Sequence, residues 1–131
     1  MDAYFEEIVS ALERLDCSAL GEIIALMQQA ESIYILGNGG SQANASHLVL
    51  HLSEKGFKAH DLMAEIAYLT ALANDFSYQQ APLFILRRQA REKDILLVIS
   101  GSGDSMNVLA ALAEAKRLGM GTIGFLGMGG G

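Results

Sequence analysis

Ser32-Ile33-Tyr34-Ile35-Leu36-Gly37-Asn38-Gly39-Gly40-Ser41 is the stretch on which the fold turns. A short β-branched and aromatic run ends in a glycine cluster, and a helical pattern follows from about Ser41 to Lys55. The order returns later in the chain. Asp94-Ile95-Leu96-Leu97-Val98-Ile99 leads into Ser100-Gly101-Ser102-Gly103-Asp104-Ser105 and then a helix through Val108, Leu109, Leu112 and Leu118. Apolar runs that do not alternate with polar residues suit strands covered on both faces, which is the environment of a parallel sheet. Between the two units a weaker strand is expected at 57–62. A helix carrying Ile66, Leu69, Leu72 and Ala73 should end near Asn74-Asp75, and another should run from Leu83 to about Arg91 after an interruption at Pro82. A last strand spans Thr122 to Leu126. Strands alternating with helices predict an α/β fold with a parallel sheet and right-handed crossovers.

Two helices should precede the first strand. Phe5, Ile8, Val9, Leu12 and Leu15 recur at spacings of three and four among Glu6, Glu7, Glu13 and Arg14, with Asp2 placed to cap the helix. Ser18 is placed to cap a second, whose stripe is Leu20, Ile23, Ile24 and Met27 and which ends near Ala30. Residues 1–30 therefore read as an oligomerisation segment, and residues 31–131 as the domain that carries the chemistry.

The 131 residues include 15 acidic and 9 basic side chains, a net charge of −6, which argues against direct binding to nucleic acid by counterion release. A hydrophobic fraction of 51% allows a sizeable core and leaves apolar surface for self-association. No apolar run approaches the roughly 20 residues that cross a bilayer, and the acidic start is unlike a signal peptide. The expectation is a cytoplasmic protein without a membrane partner. Cys17 is the only cysteine, so no internal disulfide framework exists, and the residue reads as packing.

In an open parallel sheet, ligands bind where strand ends lead into helix N-termini. Both glycine and serine turns sit at such places. Glycines let the backbone approach a ligand, first-turn N–H groups lack partners within the helix, and the helix dipole favours an anion. Ser41, Ser100, Ser102 and Ser105 add hydroxyl donors. Either turn alone reads equally well as a simple helix start; two in one small domain favour a phosphorylated ligand. A dinucleotide is the competing ligand, because Gly37-x-Gly39 follows a strand and Asp61 lies roughly 20 residues on, where a ribose-binding acid is expected. Gln42 and Met106, however, stand where that fingerprint places its third small residue. No nucleotide cofactor is expected.

Gly37-Asn38-Gly39-Gly40-Ser41, His47, Leu69-Thr70-Ala71-Leu72-Ala73-Asn74-Asp75 and Ile99-Ser100-Gly101-Ser102-Gly103-Asp104-Ser105-Met106-Asn107-Val108-Leu109 together resemble the sugar isomerase (SIS) fold, and within it the phosphoheptose isomerase group. The resemblance covers most of residues 20–130, with the motifs in the family's order. It implies a three-layer α/β/α sandwich, a homotetramer that the leading helices help to assemble, and a sugar phosphate as ligand. By position, Ser100, Gly101, Ser102 and Ser105 would hold the phosphate. Asn38, Gly39, Gly40, Ser41, Asn74 and Asp75 would approach the sugar.

The departures from the family pattern concern the same sites. The second turn has Gly101 where the family usually has Thr, and Asp104 where it has Asn. An Asp facing a bound phosphate is repulsive by about 1 kcal/mol or more; one that points outwards costs little. In the family, the helix after the first turn bears a His and, one turn later, a Glu that acts as metal ligand and base; here the two positions hold His47 and His51. Imidazoles at i and i+4 share one helical face, can hold zinc if other ligands complete the set, and a neutral His51 can serve as base. A plain solvent-facing or interface histidine is the alternative. His60 matches no catalytic position and reads as loop surface, and Glu65 as an exposed helix or cap residue. The family also continues into a fifth strand and a long helix bearing a Gln and a second catalytic His, so residues 31–131 read as C-terminally incomplete. Two functions remain open: a phosphoheptose isomerase-type ketose/aldose phosphate isomerase, or a non-catalytic SIS-fold binding or regulatory protein, as related replication-initiation factors are.

Overall fold

The structure, a computed structural model, describes residues 2–14 and 17–130, and the side chains of 3–14 and 18–130. The expected caps and packing at Asp2, Leu15 and Cys17 lie outside the described side chains. In chain order the elements are α1 (Asp2–Glu13), α2 (Cys17–Gln29), β1 (Ile33–Leu36), α3 (Gly40–Glu54), β2 (Ala59–Asp61), α4 (Ile66–Asp75), α5 (Ala81–Gln89), β3 (Ile95–Ser100), α6 (Met106–Arg117) and β4 (Gly121–Leu126).

The four strands form one parallel sheet in the order β2-β1-β3-β4. Ile33 lies opposite Ala59 on one side and Ile95 on the other, and Ile95 in turn lies opposite Gly121. Successive side chains along a strand point to opposite faces, and here both faces are covered. Ile33, Ile35, Ile95, Leu97 and Ile123 form one core layer with Met27 of α2 and Ala45 of α3. Tyr34, Leu36, Leu96 and Val98 form the other with Leu72 of α4, Ile85 and Leu86 of α5, and Val108, Ala111 and Ala115 of α6. The result is the expected three-layer α/β/α sandwich. Full burial of side chains such as Ile35, Leu36 and Leu96, at about 1.5–3 kcal/mol each, is its main stabilisation.

Four local expectations need correction. Pro82 lies in the first turn of α5 rather than ahead of the helix, because the first turn needs no N–H from it. Ser18 lies inside α2, which begins at Cys17. The strand expected at 57–62 shortens to β2, an edge strand, whose ladder joins only β1. His60 lies within β2 rather than in a loop; it pairs with Tyr34 across the ladder and stacks its ring on the tyrosine, centroids 5.2 Å apart.

Two surfaces keep apolar groups in the open. Tyr4, Phe5, Val9 and Leu12 of α1 are exposed, as are Leu20 and Ile24 of α2. On β4, the other edge strand, Phe125 and Leu126 are exposed while Ile123 is buried. Among the described residues no helix is long and apolar enough to cross a membrane.

Candidate functional site

The strand order reverses direction between β1 and β3. From β1 the chain crosses to β2 on one side, whereas β3 and β4 build outward on the other. The crevice at the carboxyl ends of β1 and β3 is the place where such sheets bind ligands. Both glycine and serine turns open there: residues 37–39 lead from β1 into α3, and residues 101–105 lead from β3 into α6.

The first turn is held by close contact and by side chains. A Cβ on Gly37 would lie 2.5 Å from the carbonyl carbon of Ser41, so only glycine lets β1 and the start of α3 approach this closely. Gly39, at the N-cap of α3, has φ +54° and ψ −121°, a conformation that glycine adopts without steric cost. Gln42 Oε1 accepts the Gly37 N–H at 3.0 Å, and its Nε2 donates to Asp61 Oδ1 at 2.7 Å. Asp61 also accepts from the Ser46 hydroxyl and from the Met63 N–H. The carboxylate at the position of a ribose-binding acid is thus engaged in tying β2 to α3.

The second turn differs in how each serine is used. Ser100 is buried, and its Oγ accepts the Gly103 N–H at 3.0 Å, which closes the turn on itself. Ser102 is exposed; its Oγ accepts the Asp104 N–H at 3.2 Å and keeps its own O–H to donate. Ser105 is the N-cap residue of α6 and makes no side-chain capping bond, so its hydroxyl and the first N–H groups of the helix remain open. Among the described residues the Ser41 hydroxyl has no partner either. Asp104 is exposed and is not the cap. A shallow hollow of ≈ 430 Å³ at this end of the sheet is lined by Ser41, Ile99, Ser100, Gly101 and residues 124–127.

A reciprocal amide pair joins the two turns. Asn38 Nδ2 donates to Asn107 Oδ1 at 2.8 Å, and Asn107 Nδ2 donates to Asn38 Oδ1 at 2.8 Å. Tyr78, from the link between α4 and α5, donates its hydroxyl to the same Asn38 Oδ1 at 2.7 Å. Asn74 and Asp75 are exposed at the end of α4, hydrogen-bonded to each other at 3.0 Å. Asn107 and Tyr78 escaped the sequence reading. The buried asparagine was legible in principle as a polar residue in the apolar stripe of α6, whereas the tyrosine carried no local signal.

His47 and His51 lie farther along α3, roughly 9 and 15 Å from Ser41 at 1.5 Å of rise per residue, and both are exposed. Their Nε2 atoms are 3.0 Å apart, and His51 Nδ1 is 3.3 Å from Glu54 Oε2. Neither ring hydrogen-bonds to a turn residue. Among the described residues no three His, Cys, Asp or Glu side chains gather as metal ligands. Zinc takes three or four protein donors, so the pair supplies part of a donor set and does not fit the ion alone.

The model of the SIS domain family matches residues 3–127. The chain belongs to the SIS domain family. Among relatives, this SIS domain chain is 35% identical to a phosphoheptose isomerase of Helicobacter pylori, over 98% of this chain and 72% of that protein. It is 41% identical to a phosphoheptose isomerase of Desulfovibrio desulfuricans over 83% of this chain, and spans 55% of that relative's length. The solved phosphoheptose isomerase of Neisseria gonorrhoeae superposes with a TM-score of 0.92 at 31% identity, covering 99% of this chain and 74% of that one. The enzyme from Francisella tularensis gives 0.88 at 31% identity, covering 98% and 75%.

Proposed function

We propose that the chain binds a sugar phosphate in the crevice between β1 and β3 and serves phosphoheptose isomerisation, the interconversion of a ketose phosphate and its aldose. The observation that carries this reading is the meeting of two serine and glycine turns at the switch point of the sheet, tied by the Asn38–Asn107 pair. The similarity to named phosphoheptose isomerases favours it over a purely regulatory role.

In this reading the α6 N-terminus and the hydroxyls of Ser102 and Ser105 receive the phosphate, with Ser100 shaping the turn and Gly101 leaving room for close backbone approach. Ser41, with the backbone of Gly39 and Gly40, and Asn74 and Asp75 from the end of α4, take the sugar hydroxyls. A ketoheptose 7-phosphate carries its carbonyl far from its phosphate, so the proton-moving group belongs at a distance from the phosphate turn. His51 is that group: its Nε2 lone pair takes the proton from the carbon beside the carbonyl after release from His47. Zinc would compete for that same Nε2 lone pair: held by His47 and His51 with other donors completing the set, it would polarise the carbonyl oxygen, and His51 would then be a ligand and not the base. We place the protein in the cytoplasm as a homotetramer assembled through α1 and α2, whose apolar faces are exposed on the single chain.

Calorimetry with sedoheptulose 7-phosphate and with sedoheptulose tests the reading. The phosphate ester should bind and the free sugar should bind far more weakly. Equal affinities, or no binding of either at millimolar concentration, would remove it.

A further inference from the structure

We infer that Tyr78 is a positioning residue for the sugar end of the crevice, acting through Asn38; this rests on the phosphosugar reading above. The argument starts from the bonding capacity of one side chain. A carboxamide has two acceptor positions on its oxygen and two N–H donors. Asn38 Oδ1 accepts from both Asn107 Nδ2 and Tyr78 Oη, at 2.8 and 2.7 Å, which fills it. One N–H donates to Asn107 Oδ1 at 2.8 Å. One N–H remains. With the oxygen saturated, Asn38 can meet a ligand only as a donor, and the direction of that donor is set by the three bonds that hold the amide plane.

The partners differ in kind. Asn107 is buried, on the inward stripe of α6, and its amide is fixed by packing. Tyr78 is 47% exposed and lies in the connection that follows Asn74-Asp75. A tyrosine with so much open surface is not there to fill the core, and its hydroxyl reaches a residue 40 positions away in sequence. Its bond does two things at once. It occupies the lone pair through which Asn38 would otherwise rotate to accept from a ligand, and it draws the segment behind Asn74-Asp75 against the β1 turn. The sugar-facing selectivity of the crevice, donor at Asn38 and carboxylate at Asp75, then depends on a hydroxyl that need not touch the sugar.

Tyr78→Phe removes the hydroxyl and keeps the ring. Calorimetry of the full chain with sedoheptulose 7-phosphate should show three- to tenfold weaker binding, the scale of one neutral hydrogen bond. Inorganic phosphate, which needs only the second turn, should bind Tyr78→Phe as it binds the unmodified chain, and the thermal midpoint should hold. Hydrogen exchange of the Asn38 side-chain amide, followed by nitrogen-15 NMR without ligand, should speed up in Tyr78→Phe while that of Asn107 changes less. Unchanged sugar-phosphate affinity, or unchanged Asn38 exchange, overturns the inference. Parallel loss of phosphate and sugar-phosphate binding also overturns it, since that marks a general structural effect. An unmodified chain that binds neither ligand removes the phosphosugar reading itself, and the inference falls with it.

Discussion

His47 and His51 share one hydrogen bond, Nε2 to Nε2 at 3.0 Å, and the network around it assigns their protons. Glu54 Oε2 sits 3.3 Å from His51 Nδ1 and can only accept when ionised, so that nitrogen carries the hydrogen. A neutral His51 therefore presents a bare Nε2, and His47 donates to it. The lone pair that a general base needs, or that a metal takes, is the one His47 occupies.

Zinc should displace that shared proton. Addition of zinc to the purified chain should shift the ring resonances of both histidines together. His47→Ala and His51→Ala should each lower zinc affinity by at least the roughly 10–100-fold that loss of a mere outer-shell partner costs. Zinc binding that survives both substitutions would place the ion elsewhere on the protein.

The serines of the second turn should separate by phenotype. Ser102 gives its Oγ only to the exposed Asp104 N–H, so Ser102→Ala should weaken sugar-phosphate binding by about 0.5–1.5 kcal/mol, rising towards 3 with a charged acceptor, and leave stability near that of the unmodified chain. Ser100→Ala orphans the buried Gly103 N–H and should lower folding stability by about 1–3 kcal/mol as well. Paired urea titrations and calorimetry check both. Equal stability losses would contradict the division.

Glu114 predicts an acid limit. It is buried on α6, and its carboxylate accepts from Arg117 at 2.6 Å and from Arg87 of α5 at 3.1 Å. Hydrogen bonds from Arg117, then from Arg87, pull its pKa down to about 2. A lowered folded-state pKa means that the unfolded chain takes up the proton first. The stabilisation is complete above the ordinary glutamate range near 4.5 and is lost as pH falls from there towards about 2. Urea midpoints measured from pH 6 down to pH 2.5 should fall more steeply for the unmodified chain than for Glu114→Gln, which starts lower. Parallel curves would show that the clamp contributes nothing to acid sensitivity.

Glu114 also marks where sequence reading stops. Strands β1 and β3 were legible because Ile33 to Leu36 and Ile95 to Val98 are unbroken apolar runs, and burial on both faces demands that pattern. The turns were legible because glycine and serine cluster at strand ends. Asn107 and Glu114 interrupt the buried stripe Asn107, Val108, Ala111, Glu114, Ala115, and their partners Asn38 and Arg87 come from distant segments. Periodicity reports which face is inward, whereas pairing across the fold has no local signature. Asp61 shows the opposite case, a local spacing that signals more than the residue does: its distance from Gly37 suits a ribose acid, yet Gln42 and Ser46 engage it within the chain.

The last prediction concerns assembly. α1 is a 12-residue helix whose described side chains are all exposed. Isolated helices of that length are marginal in water, because nucleation is costly and tertiary burial normally supplies the stability. Tyr4, Phe5, Val9 and Leu12 form an apolar face with exposures of 53–64%, and Leu20 and Ile24 of α2 add to it at 46% and 52%. A second copy of the chain offers the same face, so an isologous contact is the economical way to cover both. Light scattering should give a mass that is a multiple of 14.0 kDa. The double substitution Phe5→Glu with Leu12→Glu should lower that mass and reduce helical circular dichroism together, since α1 loses its cover. The sandwich itself, whose two core clusters draw no residue from α1, should keep its thermal transition. A 14.0 kDa species at high micromolar concentration with full helical signal would show that α1 folds without a partner and would end the assembly argument.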